Sequence, residues 1–583
     1  MGVRHPQSMP KLYSAPQSPQ GDYWGARIVG RNQQGETMSH TFDRRSFLAG
    51  GVALGAGAAI LGSGVDWAQA AQTNGPGLNG ISTAKPKRGG SLVMGIDTEE
   101  GGFDPTSARW DEGGFLYGRT VFDPIAVVTS TGQVEPYLAQ SITHNTDYTA
   151  WTITLRPGIV FHDGTPLDAN ALHLNLTKQA ASPLVGPAFA ALIESSSVTG
   201  PLAVTINMRA PWVPFDYYLA QGQTGYIAAP SMLNSPNGTT NPVGTGPFVF
   251  KEWIPNSHFT ATANPHYWRP GLPYLSQITF KPVIAPTSRT AALQSGTIDI
   301  MHTNSPASIL SFRGNKKWSY LDNSGPILGQ PTINMLMLNT STAPFNNQKL
   351  RIAMAKGSNP QQYSQEIDMG VNAPLTGLFL PGSPYYSKTT YPTHDPAGAK
   401  KLVNQVAQET GKPVAFTLSA TNDPEVERAA QYLKQLYSNV GITVNINIMA
   451  QSALINDALS GTYQATTWRQ FGAVDPDLNY VWWSTNTVTP GLALNMARNS
   501  DPRIQAALTS GRASSNQADR IKAYQQINEY LAQDLPYIFA DRSTWAVIAN
   551  PNVQNYANPK TPSGSQAFAF DEGVLWPTQI WIS

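Results

Sequence analysis

The side chains of this chain best suited to chemistry are concentrated at residues 467–480, Thr-Trp-Arg-Gln-Phe-Gly-Ala-Val-Asp-Pro-Asp-Leu-Asn-Tyr. Arg469 offers a permanent cation with a planar fork of donors. Gln470 adds a neutral donor and acceptor, and Asp475 and Asp477 add carboxylates. Trp468 and Phe471, with Trp482 and Trp483 just downstream, supply flat apolar faces of the kind that line pockets for peptide side chains or sugar rings. Two readings stay open at several positions. Asp475-Pro476-Asp477 is either a ligand contact or the cap of a following helix, because Asp before Pro is a common helix start. Arg469 is either a ligand contact or half of an ion pair, and any single aromatic is equally a core residue.

Bond-breaking chemistry finds little support. The chain has no cysteine, which removes disulfides, thiolate metal sites and a cysteine nucleophile. It has no Gly-x-Ser-x-Gly elbow, no His-Glu-x-x-His helix and no Gly-Lys-Ser/Thr phosphate loop. Glu99-Glu100 and the pair Glu425 and Glu427 read as solvated charge. His144, His162, His173, His258, His266, His302 and His394 are scattered, with no pair at metal-ligand spacing. No metal and no cofactor is therefore expected, and a secreted hydrolase is a remote alternative. Charge is balanced, 38 Lys and Arg against 37 Asp and Glu, and no basic cluster appears, so a nucleic-acid partner is not expected.

The N-terminal region sets an address. Asp43-Arg44-Arg45-Ser46-Phe47-Leu48 reads as a twin-arginine export signal, followed over 49–65 by an apolar run rich in Gly and Ala. That run suits an export signal better than a bilayer-spanning helix, although a retained anchor is the alternative. Ala68-Gln69-Ala70 offers a cleavage site, which puts the mature start at Ala71, and Met38 is the expected initiator. Without a lipidated cysteine to tether it, the exported protein is expected in a periplasm.

Local signals describe an α/β chain. Residues 151–155 alternate as a half-buried strand, Arg156-Pro157-Gly158 supplies a turn, and 159–161 read as the returning strand. Asp163-Gly164 makes a second turn, and Asp168 is placed to cap a helix from Ala169. Pro286 opens a helix, and Gly296-Thr297-Ile298-Asp299-Ile300 returns to a strand. Asp423-Pro424 starts a helix that Gly441 stops, with the next strand at 443–449. About 510 residues past the leader exceed what one core serves, so at least two lobes are expected.

The order Trp151-Thr-Ile-Thr-Leu-Arg-Pro-Gly-Ile-Val-Phe-His-Asp-Gly-Thr-Pro166, the block Gly244-Thr-Gly-Pro-Phe-Val-Phe-Lys-Glu-Trp253 and the Gly296-Thr-Ile-Asp-Ile300 step resemble the family 5 extracytoplasmic solute-binding proteins, the dipeptide, oligopeptide and nickel receptors of ABC importers. The resemblance covers nearly all of 89–550. It implies a two-lobed clamp of the periplasmic-binding-protein type with an extra subdomain inserted in the first lobe. Its parts would be an extension and leader over 1–70, lobe I over 89–330 with the insertion at about 122–240, lobe II over 331–535, and a return to lobe I over 536–583. It further implies a monomer that closes on a small-molecule or oligopeptide ligand and docks on permease subunits in the inner membrane, with ATP spent by a separate subunit.

By the same resemblance, the 467–480 segment is the lobe II loop that enters the cleft, and Tyr117 lies where lobe I faces it. The expected ligand residues are Tyr117, Trp468, Arg469, Gln470, Phe471, Asp475 and Trp482. Dipeptide receptors hold the ligand amine with an aspartate three residues before Asp-Pro, where this chain has Gly472. They hold the ligand carboxylate with an arginine in an earlier loop, matched to 380–386, which contains none. A peptide-like solute is the first expectation, and a glycoside, an opine-like conjugate or a metal chelate is the alternative.

Overall fold

The computed structural model describes residues 82–583 apart from 109, 183–185, 191, 325–328, 490–491 and 569–571. The twin-arginine motif and the expected cleavage site lie outside the described residues.

Two sheets organise the chain. In the first, strand Ser91–Ile96 is central and runs parallel to Gln277–Pro282 on one side and Ile300–Thr303 on the other. Leu92, Met94 and Ile96 are at most 1% exposed, as expected of a strand with parallel neighbours and covered faces. The parallel step from Gln277–Pro282 to Ile300–Thr303 is made by helix Pro286–Gln294. Strands His258–Ala263 and Phe248–Ile254 extend one edge, and Ala546–Ala549 and Ser319–Asp322 the other. A four-stranded antiparallel sheet, Ala139–His144, Ala150–Leu155, Ala203–Met208 and Ile193–Gly200, shares one continuous apolar core with the first sheet.

The second sheet runs Ala373–Pro374, Tyr537–Arg542, Ile333–Leu338, Ala465–Gln470, Ala415–Thr421, Thr443–Met449 and has its own core. Its helices follow their sequence signals. Asp423 accepts the N–H groups of Glu425 and Val426, Pro424 fills the first turn of Pro424–Ser438, and Ala430, Leu433 and Tyr437 face inward. Helix Pro396–Thr410 ends at Gly411, whose φ of 67° is the left-handed cap that favours glycine. These two sheets are the cores of the two lobes.

The chain passes between the lobes after Ser319–Asp322 and again after Tyr537–Arg542. The crossings lie side by side. The Ser543 N–H donates to the Thr332 carbonyl at 3.0 Å and the Asn323 N–H to the Trp545 carbonyl at 3.1 Å. The return to lobe I therefore falls at 543–545 and not at 536. Tyr537, Ile538 and Phe539 are apolar and buried on the second sheet, paired with Ile333–Leu338, which holds the strand there until its end. A second difference concerns 159–161. Strand Ala150–Leu155 is flanked by Ala139–His144 and Ala203–Met208. Residues 159–161 fold onto 165–167, with the Phe161 N–H on the Thr165 carbonyl at 2.8 Å, because the Asp163 turn closes locally before a longer hairpin can form. Asp168 does cap helix Ala169–Ala181.

Candidate functional site

Arg469 stands one residue from the end of strand Ala465–Gln470, in register with Asn334, and reaches across to the first lobe. Its Nη2 lies 2.8 Å from Oε1 of Glu112. Glu112 opens helix Glu112–Val121, which Asp111 caps by accepting the N–H groups of Gly113 and Gly114. Glu112 is 4% exposed, whereas the Arg469 side chain as a whole is 31% exposed, so part of the arginine side chain meets solvent and its partner does not. The Arg469 guanidinium carbon also lies 5.5 Å from the centroid of Trp545, a wholly buried residue of the second crossing and a cation–π platform. Behind Trp545 sits His302, ring centroids 5.4 Å apart, with Nε2 2.9 Å from Oδ1 of Asp97.

The C-terminal segment closes this group. Oε1 of Glu572 accepts the Gly472 N–H at 2.7 Å and the Thr332 hydroxyl. Gly472 is tightly seated. A Cβ there would lie 3.1 Å from the Gln330 carbonyl oxygen, 3.2 Å from Oε1 of Glu572 and 3.2 Å from the Thr332 nitrogen. Gln330 and Ala473 exchange backbone hydrogen bonds at 2.8 and 3.0 Å. The first crossing thus packs directly on this loop, and glycine is what the approach allows.

Carboxylates outnumber cations here, and their protonation follows. Burial pushes Glu112 well above its ordinary range, Arg469 opposes this, and Glu572, Asp111 and Asp97 reinforce it. Burial and the neighbouring Asp111 push Glu100 up in the same way. Asp97 goes the other way: burial works against its charge, but the charge and hydrogen bond of His302, with Arg289 and Arg469, hold it below the carboxylate range. Burial also works against the charge of Arg469, yet Glu112, Glu572 and Asp97 raise it above its usual value. The arrangement can hold a charged, hydrogen-bonding solute between lobes. Among the described residues no group of three His, Asp or Glu side chains is placed to hold a metal ion.

The other expected ligand residues are dispersed. Phe471 is 40% exposed beside Gly472. Trp468 and Trp482 are half-buried against the lobe II core. Gln470 is buried and donates to Asn479 Oδ1 at 3.0 Å. Asp475 caps the turn Pro476–Asn479 by accepting the Asp477 N–H at 2.9 Å and lies 2.5 Å from Arg520 Nη2, so its carboxylate is engaged in a cap and a buried ion pair. Asp477 is likewise paired with Arg512 at 2.9 Å. Tyr117 is 2% exposed, its ring packed on Phe103, Phe259 and Phe280 at 5.2, 4.7 and 5.1 Å inside lobe I. Arg469 is the one of them that reaches the first lobe, and Phe471 is exposed two residues on. Asp97, Glu112, His302, Trp545 and Glu572 were not singled out from the sequence. Glu112 had a signal, since Asp-Glu-Gly-Gly is a helix start, whereas Glu572 had none.

Comparison with known proteins gives this junction its context. The model for bacterial extracellular solute-binding proteins, family 5, matches residues 133–490. The glutathione-binding protein GsiB of Pectobacterium atrosepticum is 26% identical over 427 residues, 69% of this chain and 79% of that one. The nickel-binding periplasmic protein of Escherichia coli is 26% identical over 461 residues, 75% and 86% of the two chains. Among solved structures, the periplasmic binding protein DppA of Helicobacter pylori with the peptide STSA has a TM-score of 0.73 at 20% identity, covering 85% of this chain and 98% of that one. AgaA of A. tumefaciens R10 with agropinic acid has a TM-score of 0.74 at 21% identity, covering 85% and 99%. The fold, the paired crossings and a family match spanning both lobes lead to one conclusion: this chain belongs to the family 5 bacterial extracellular solute-binding proteins.

Proposed function

We propose that this protein captures a peptide-like solute between its lobes in the periplasm, delivers it as a closed monomer to permease subunits in the inner membrane, and reaches the periplasm by the twin-arginine route. The observation that carries the reading is Arg469, whose guanidinium lies at the lobe junction 2.8 Å from Glu112 on a side chain that is 31% exposed, with Phe471 exposed two residues further along the chain. An arginine there can meet a carboxylate or a main-chain carbonyl, and an aromatic beside it can cover a side chain. Two adjacent crossings are the layout of a hinge, and a solute that touches both lobes favours the closed form by its differential affinity. The chain itself needs no bond-breaking step for this role.

A non-peptide solute is the second reading, favoured by Gly472 and by a 380–386 loop without arginine, which remove the two terminal anchors of a dipeptide specialist. Mass spectrometry of small molecules that co-purify with the exported protein separates the readings. Peptides of mixed sequence are the expected result, and one defined sugar, opine or chelate would replace the peptide reading.

A further inference from the structure

We infer that Glu572 is the specificity-determining carboxylate of the cleft and that it takes a protonated amine of the solute. This rests on the lobe junction being the solute site. Four observations converge on it.

Glu572 is 8% exposed, and both of its hydrogen bonds, from Gly472 N–H and from the Thr332 hydroxyl, go to Oε1. Oε2 has no partner among the described residues, yet it is not among the buried unpartnered atoms. It is therefore an acceptor on a nearly buried side chain that still reaches solvent. An anion so placed seeks a charged donor.

The backbone supports this placement at a cost. Glu572 has φ 51° and Gly573 φ 82°, the first a conformation that L residues rarely adopt and that tends to persist where function requires it. A Cβ on Gly573 would come within 2.9 Å of His302 Nδ1 and 3.0 Å of Trp545 Cε3, so the turn is pressed onto both rings and presents the carboxylate from a rigid base.

Trp545, wholly buried, has an indole N–H with no acceptor among the described residues. The junction thus keeps an unpaired donor on the ring against which the Glu572–Gly573 turn is pressed. Charge points the same way. Asp97, Asp111, Glu112 and Glu572 all act on the guanidinium of Arg469; with Asp97 paired to His302 and Glu112 pushed up by burial, Glu572 is the carboxylate of the four that has an unpartnered oxygen reaching solvent, which favours approach of a cation.

The test compares a short peptide with its N-acetylated counterpart, by titration calorimetry on the full mature chain, wild type and Glu572→Gln. Glutamine keeps the shape and the Oε1 acceptor but not the charge. The expected result is at least about tenfold preference of the wild type for the free amine, falling to near unity in Glu572→Gln through loss of the free-amine affinity alone. Thr332→Val, which removes one hydrogen bond to Glu572 but no charge, should keep the preference. A wild type without preference, a preference unchanged in Glu572→Gln, or equal weakening of both peptides by that substitution overturns the inference. If the wild type binds neither peptide, the peptide reading fails and the co-purifying solute decides. A solute bearing a primary amine, lost from Glu572→Gln, upholds the role of Glu572. A solute without an amine, one retained equally by both proteins, or no solute at all overturns it.

Discussion

The backbone N–H of Gly472 donates to Oε1 of Glu572 at 2.7 Å, joining residues 100 positions apart. The bond ties the loop after the lobe II strand Ala465–Gln470 to the C-terminal segment, at the place where the first crossing also packs. The contact between the lobe II loop, the first crossing and the C-terminal segment therefore rests on one small group of atoms.

Crowding at Gly472 makes a direct prediction. Gly472→Ala places a Cβ at 3.1–3.2 Å from three neighbours, two of them backbone, and should destabilise the protein by ~1–2 kcal/mol as an overpacked site does. Gly472→Asp should cost more, since its carboxylate would meet that of Glu572. Urea unfolding of the two variants measures both costs, and an alanine variant as stable as wild type would refute the seating described.

Removing Arg469 separates stability from binding. Arg469→Ala leaves Glu112, 4% exposed, without its cation, and Glu112 then takes up a proton. Because the arginine side chain is 31% exposed, the stability loss should be modest, ~1 kcal/mol. Affinity for the solute should drop at least about tenfold. The double variant Arg469→Ala/Glu112→Gln should recover the stability and not the affinity, a pattern that thermal melts and titration calorimetry read independently.

Asp475 should behave in the opposite way. Its carboxylate pairs with Arg520 at 2.5 Å and caps the following turn, and both residues are buried. Breaking such a pair from one side costs ~3–5 kcal/mol. Asp475→Asn should therefore lower the melting temperature strongly, while the fraction that stays folded binds solute within about twofold of wild type. A selective loss of affinity with unchanged stability would return Asp475 to the cleft.

Stability should rise on mild acidification. Asp123 is 1% exposed, and burial pushes its carboxyl up to about 6 despite hydrogen bonds from Trp268, Tyr267 and Thr245. Asp216 and Asp368 are likewise raised by burial to about 6. A folded-state value above the unfolded one means that the native protein binds more protons between about pH 4 and 6. Stability then falls as pH rises through that window and recovers as pH falls. For Asp123 alone the difference is ~2–3 kcal/mol. Denaturant midpoints from pH 4 to 7 should show this slope, and Asp123→Asn should flatten it in part.

Short-range signals account for much of the architecture. The Asp168 and Asp423-Pro424 caps, the Gly411 stop and the strands near 91–96, 415–421 and 443–449 all depend on contacts within a few residues. The cap reading of Asp475-Pro476-Asp477 was legible for the same reason, since its N–H donor is two residues away. The sequence alone puts 536–540 on the return to lobe I, whereas Tyr537–Arg542 is a lobe II strand, because its apolar run fits either sheet until its partner Ile333–Leu338 is in place.

What the sequence by itself determined is therefore many of the helix caps and strands, the absence of cysteine chemistry and the family signature carried by 151–166 and 244–253. Tertiary structure alone decided which side chains meet between the lobes. Glu112 faces Arg469 and Glu572 reaches Gly472 across distant parts of the chain, and the same folding withdraws Tyr117 into the lobe I core. Periodicity and capping report a residue's neighbours along its own helix or strand. They say nothing about which two surfaces are brought together when separate sheets pack around a double crossing, and in this protein the charges that meet between the lobes are set by that packing.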